Sequence, residues 1–115
     1  VFGVTALTSL SDEDSMNIFQ RNAASHVEAM LDLAQEASID GIVCSPHELR
    51  LVKARGCFLS ITPGIRLEDS NDDQSRVMSP REAIQLGADY LVIGRPITDA
   101  TDVLKSFNQI LQSIQ

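Results

Sequence analysis

Four short apolar runs, each followed by a helix start, limit what this chain can fold into. The runs are Val1 to Leu7, Ile39 to Cys44, "CFLSITPG" (57–64) and "DYLVIGRP" (89–96). Apolar runs of this length bounded by turn residues read as buried strands. Ser11 is expected to cap a short helix within "SDEDSMNIFQRN", with Asp14 at its third position. From Ala24 to Ser38, Val27, Met30, Leu31 and Ala34 recur at the spacing of an amphipathic helix. Ser45-Pro46-His47-Glu48 and Ser79-Pro80-Arg81-Glu82 repeat one design. Serine caps, proline fills a position that needs no N–H, and glutamate reaches back to close a capping box. Gly56 and Gly87 stop these two helices. Asp102 caps a last helix whose apolar face is Val103, Leu104, Phe107, Ile110, Leu111 and Ile114.

Strands alternating with helices predict a parallel α/β sheet. Two architectures fit: a small doubly wound domain, or part of a (βα)8 barrel, which needs ~250 residues when whole. At 115 residues the chain is at most one ordinary domain, and 43% hydrophobic residues suffice for a packed core. A net charge of −7 argues against nucleic acid or an anionic membrane surface as partner. No stretch is long and apolar enough to span a bilayer. Cys44 and Cys57 form no CxxC pair and are expected as reduced, buried thiols of a cytoplasmic protein.

In either architecture ligands meet the carboxyl ends of the strands. Those ends carry Thr8-Ser9, Ser45, Thr62-Pro63-Gly64 and Gly94-Arg95-Pro96-Ile97-Thr98. Small, hydroxylated and glycine residues let a ligand approach the backbone closely. Gly64 and Gly94 free N–H groups for an anion, and Arg95 adds a fork of donors suited to phosphate oxygens. Against this stands a plain turn at Gly94 and a surface cation at Arg95. The segment "IRLEDSNDDQSRVMSP" is a long polar loop, the kind that serves as a lid, and holds Arg66, Gln74 and Arg76 among acids. The Gln74 amide can donate to one ligand group and accept from another.

Other chemistries lack residues. His26 and His47 have no second ligand at metal spacing, so no metal site is expected. No phosphate-loop, dinucleotide or nucleophile-elbow motif occurs. Asp12, Glu13 and Asp14 read as helix-start acids, and Asp40 and Asp89, each preceding a strand, as structural. No lysine or carboxylate is evidently placed for acid–base work.

Taken in order, "VTALTSLSDED", "DGIVCSPHE", "TPGIR" and "DDQSRVMSPREAIQLGADYLVIGRPIT" resemble the C-terminal half of bacterial orotidine 5′-phosphate decarboxylases, over nearly the whole chain. The resemblance implies a (βα)8 barrel to which residues 1–115 contribute four βα units, strands five to eight, within a single domain. It implies a cytoplasmic homodimer that converts orotidine monophosphate (OMP) to UMP and CO2 without metal or organic cofactor. Thr8 and Ser9 then match a strand end touching the pyrimidine, and Pro63 and Gly64 the strand end beside the base. Gln74 matches the glutamine bridging phosphate and base, Gly94 and Arg95 the phosphate grip, and Arg76 an accessory to it. The family's catalytic Asp-x-Lys-x-x-Asp pattern does not occur in these residues. No catalytic residue is therefore expected in this segment, which would be inactive alone. A chain that starts inside a strand-like run is expected to be a segment of a longer one. The competing readings are a metal-using sugar-phosphate decarboxylase or aldolase of the same superfamily, and a noncatalytic phosphate-binding half barrel that self-associates.

Overall fold

A computed structural model describes residues 1–6, 9–66 and 78–115. Strand β1 (Phe2–Val4) leads through helices α1 (Asp12–Phe19) and α2 (Ala23–Glu36) to β2 (Gly41–Val43). A 3-10 turn, Pro46–Glu48, and α3 (Leu49–Ala54) lead to β3 (Leu59–Thr62). After α4 (Pro80–Gln85) come β4 (Tyr90–Leu91), α5 (Arg95–Thr98) and α6 (Val103–Ser113). The four strands are parallel and lie side by side in chain order. The carboxyl ends of all four therefore line one rim.

The helix starts follow the serine signals. Ser11 and Asp14 form a reciprocal capping box, as do Ser79 and Glu82. At Ser45 the returning bond is present, Ser45 N–H to Glu48 Oε2 at 3.1 Å, and it opens the 3-10 turn before α3. Asp102 Oδ1 accepts from Lys105 N–H at 2.9 Å and starts α6. Helix α2 begins one residue earlier than its apolar spacing suggests, because Asn22 Oδ1 accepts from Ser25 N–H.

Register sorts the side chains onto two faces. Gly3, Ile42 and Ser60 share a row on the face that meets the helices. There Ile42 and Cys44 join Val27, Leu31 and Ala34 of α2, Leu49 and Val52 of α3, and Ala83 of α4 in one buried cluster. The opposite face carries Phe2 and Leu59 in one row, and Val4, Val43, Ile61 and Tyr90 in the next. No described element covers that second face, and Phe2, Val4, Leu59 and Tyr90 are exposed on it.

Two expectations change, and one face is left open. Strand β4 stops at Leu91 instead of running to Pro96, because the chain turns at Gly94 into α5. Cys57 is exposed rather than buried, since it lies in the turn after Gly56 and ahead of β3. The apolar face of α6 is largely uncovered: Ile110 is buried, whereas Val103, Leu104, Phe107 and Leu111 are exposed.

One polar cluster ties the amino ends of β3 and β4 to α3. Asp89 Oδ2 accepts from Ser60 N–H at 2.7 Å and from Ser60 Oγ at 2.9 Å, and pairs with Lys53 Nζ. Lys53 beside it, with Ser60, holds the Asp89 carboxyl below the usual carboxylate range. A depressed carboxylate contributes stability above its unfolded value of about 3.9, lost as pH falls through its lower native value. Asp89→Asn should accordingly flatten the acid limb of Tm against pH below about pH 4. Thermal melts across this range check it; acid limbs of equal slope in the two proteins would refute the assignment.

Candidate functional site

Because the strands are parallel and consecutive, the residues following them gather at one rim. The ladder continues a step past β2 and β4: Cys44 N–H reaches Ile61 C=O at 3.1 Å, and Val92 N–H reaches Thr62 C=O at 2.9 Å. Beyond β3 come Pro63 and Gly64, both partly exposed, and beyond β4 come Gly94 and Arg95, both exposed. Ser9 lies in an exposed turn beyond β1. Thr8, Gln74 and Arg76, the other residues expected here, lie outside the described residues.

Gly64 has φ +81°. This left-handed conformation turns the chain sharply off the end of β3, and a Cβ here would come within 3.8 Å of Pro46, which opens the 3-10 turn after β2. The chain then forms a parallel bridge from Ile65 to Met78, with Arg66 N–H on Met78 C=O at 3.1 Å. Ile65 is buried, so this bridge anchors the start of α4 against the sheet rim.

Gly94 precedes the four-residue α5, and its carbonyl accepts from Ile97 and Thr98 N–H at 2.8 and 3.0 Å. Ser106 Oγ of α6 donates to Pro96 C=O at 2.7 Å and pins this turn from behind. Arg95 is thus the first residue of a helix rather than the end of a strand. Its guanidinium has no hydrogen-bond or ion-pair partner among the described residues, whereas Lys53, Arg55 and Arg81 are engaged. A Cβ on Gly94 would meet nothing within 4 Å. The two glycines therefore differ. Gly64→Ala should cost about 1–2 kcal/mol through its positive φ, whereas Gly94→Ala should cost less stability and more affinity for an anion. Denaturant melts and anion titration of both variants check this; the reverse order would refute it.

The rim offers binding groups more than reacting ones. Cys44 follows β2 directly, but burial pushes its thiol up to about 11, so it is neutral at pH 7 and a poor nucleophile. His47 is exposed at the start of the 3-10 turn. Among the described residues, no three His, Cys, Asp or Glu side chains group as metal ligands would, and no helix is long and apolar enough to cross a membrane. The arrangement suits an anionic small molecule: open backbone at two glycines and a planar cation unpartnered among the described residues. The Ser60–Asp89–Lys53 cluster at the opposite end escaped sequence reasoning, because its members are 29 and 36 residues apart.

Comparison with known proteins bears on what such a rim serves. A protein-family model described as "Orotidine 5'-phosphate decarboxylase / HUMPS family" matches residues 1–110. Curated relatives named orotidine 5′-phosphate decarboxylase include one from Coxiella burnetii (strain RSA 331 / Henzerling II). It is 49% identical over 119 residues, spanning 100% of this chain and 50% of the relative. Another, from Shewanella sediminis, is 48% identical over 118 residues, spanning 99% of this chain and 50% of the relative. Among solved structures, the orotidine 5′-phosphate decarboxylase of Lactobacillus acidophilus superposes with a TM-score of 0.77 at 31% identity. That match covers 99% of this chain and 48% of the other. An uncharacterized conserved protein of Geobacillus kaustophilus gives a TM-score of 0.74 at 31% identity, covering 97% and 47% of the two chains. The chain spans about half the length of the curated relatives it matches. A parallel sheet that gathers its four carboxyl ends on one rim, and a family match running through residues 1–110, lead to one conclusion: the chain belongs to the orotidine 5′-phosphate decarboxylase / HUMPS family.

Proposed function

We propose that this chain is the ligand-gripping half of an orotidine 5′-phosphate decarboxylase, supplying strands five to eight of a single (βα)8 barrel domain. Residues beyond these 115 supply the other four strands and the Asp/Lys network that removes CO2 from OMP. The working enzyme is a cytoplasmic homodimer that needs no metal or organic cofactor. The observation that carries this reading is the pairing of Gly64 with Gly94–Arg95 beyond adjacent parallel strands, with the Arg95 guanidinium unpartnered among the described residues.

In this reading Arg95 and the Gly94 backbone hold the 5′-phosphate. Pro63 and Gly64 lie beside the base, and Thr8 and Ser9 touch the pyrimidine. Gln74 bridges phosphate and base, with Arg76 as an accessory cation. None of these residues breaks a bond. Binding energy from the remote phosphate drives closure and desolvation around the reacting carboxylate, and so lowers the barrier at a distance. An acidic chain needs such local donors, because its overall field repels a nucleotide.

Turnover by the full-length protein tests the reading. OMP should be converted to UMP, and sugar phosphates of the sister enzymes should not be consumed. Turnover of a sugar phosphate with none of OMP would overturn it.

A further inference from the structure

The proposed anion grip depends on where β4 delivers Gly94 and Arg95, yet β4 is held to β3 by a very short ladder. Tyr90 lies opposite Ile61 and Leu91 opposite Thr62, extended by Val92 N–H to Thr62 C=O at 2.9 Å. So short a ladder specifies register weakly. A slip of one residue would turn every side chain to the other face and move the strand end by ~3.3 Å.

At the amino end of the same pair stands a clasp that has only one register. Ser60 N–H and Oγ–H both donate to Asp89 Oδ2, at 2.7 and 2.9 Å. Asp89 N–H returns a bond to Ser60 Oγ at 3.0 Å. Lys53 of α3 donates to the same carboxylate oxygen and to Phe58 C=O at 3.2 Å, which fixes the pair to the helix layer. Ser60 has 0% exposure, so its hydroxyl has no water to replace a lost partner. Any slip of β4 would break these bonds together.

We infer that Ser60, Asp89 and Lys53 form a positioning clasp, which locks the register of β4 on β3 and thereby sets where Arg95 meets a phosphate. Asp89 acts through Arg95, six residues further along the chain, and does not touch the ligand. The inference rests on the phosphate-binding reading of Arg95, and the test separates the two.

UMP and uridine affinities are measured by calorimetry on the full-length protein, Asp89→Asn, Arg95→Ala and the double variant. Asp89→Asn should weaken UMP about tenfold and uridine less than about twofold. In the Arg95→Ala background, Asp89→Asn should cost no further UMP affinity, because the group it positions is gone. Equal losses in both backgrounds, equal losses for UMP and uridine, or no loss at all would overturn the clasp as a positioning device. If Arg95→Ala itself leaves UMP affinity unchanged, the phosphate reading falls, and the clasp inference falls with it. Should Asp89→Asn not fold, Ser60→Ala takes its place in the cycle under the same criteria. That variant keeps the Lys53 pair and the Ser60 N–H bond.

Discussion

Arg95→Ala in the full-length protein is expected to lower kcat/KM for OMP by roughly 10²–10⁴-fold, with thermal stability unchanged. The size follows from two charge-assisted hydrogen bonds to a phosphate, each worth about 1.5–3 kcal/mol. Stability should hold because the side chain is exposed and pairs with no other described residue. Arg95→Lys should recover only part of the loss, since an ammonium cannot offer two parallel donors from one plane. Orotidine, which lacks the phosphate, serves as the control substrate, and its weak turnover should be nearly the same for wild type and variant. Steady-state kinetics with both substrates check this. An unchanged kcat/KM for OMP would remove Arg95 from the site. An equal fall for OMP and orotidine would show that it acts on something other than the phosphate.

Local signals survived the passage from sequence to structure, and long-range ones did not. The Ser11 and Ser79 boxes and the Asp102 cap each depend on residues three apart, so composition at fixed spacing exposes them. Asn22 caps α2 just as Asp102 caps α6, through the N–H three residues on, but the apolar spacing of α2 begins only at Val27 and does not point back to it. The rim residues Gly64, Gly94 and Arg95 were legible for a different reason. Once a parallel sheet is inferred, topology alone gathers its strand ends. Where β4 would stop was not legible, because "YLVIGRP" stays apolar through Ile93 and the turn into α5 is made at Gly94. Nor was the exposure of the α6 face. A periodic apolar stripe says that a face seeks cover, and not whether the same stretch of chain provides it.

The uncovered face of the sheet leads to the second large effect. Val4 is 55% exposed, in one row with Val43, Ile61 and Tyr90, on the face that no described helix reaches. If this face looked onto water in the working protein, Val4→Asp would change stability by no more than about 0.5 kcal/mol, as surface substitutions do. The proposed barrel makes the opposite demand. Closing eight strands turns this row inward, where side chains from alternate strands stack in packed layers. A carboxylate placed there loses its water and gains no partner, a change of about 4 kcal/mol or more. Val4→Asp in the full-length protein should therefore unfold it or lower its denaturant midpoint sharply. In the isolated 115-residue chain the same substitution should be neutral, or raise solubility by breaking an exposed apolar surface. Equilibrium denaturation of the full-length pair and solubility of the isolated pair check the two halves of the contrast. A full-length variant as stable as wild type would mean that the row stays open to solvent, and the closed barrel would have to be abandoned. Because the rim that carries Gly64 and Arg95 is the edge of that same sheet, an open barrel would also leave the proposed phosphate grip without the opposing strands proposed to bear the chemistry.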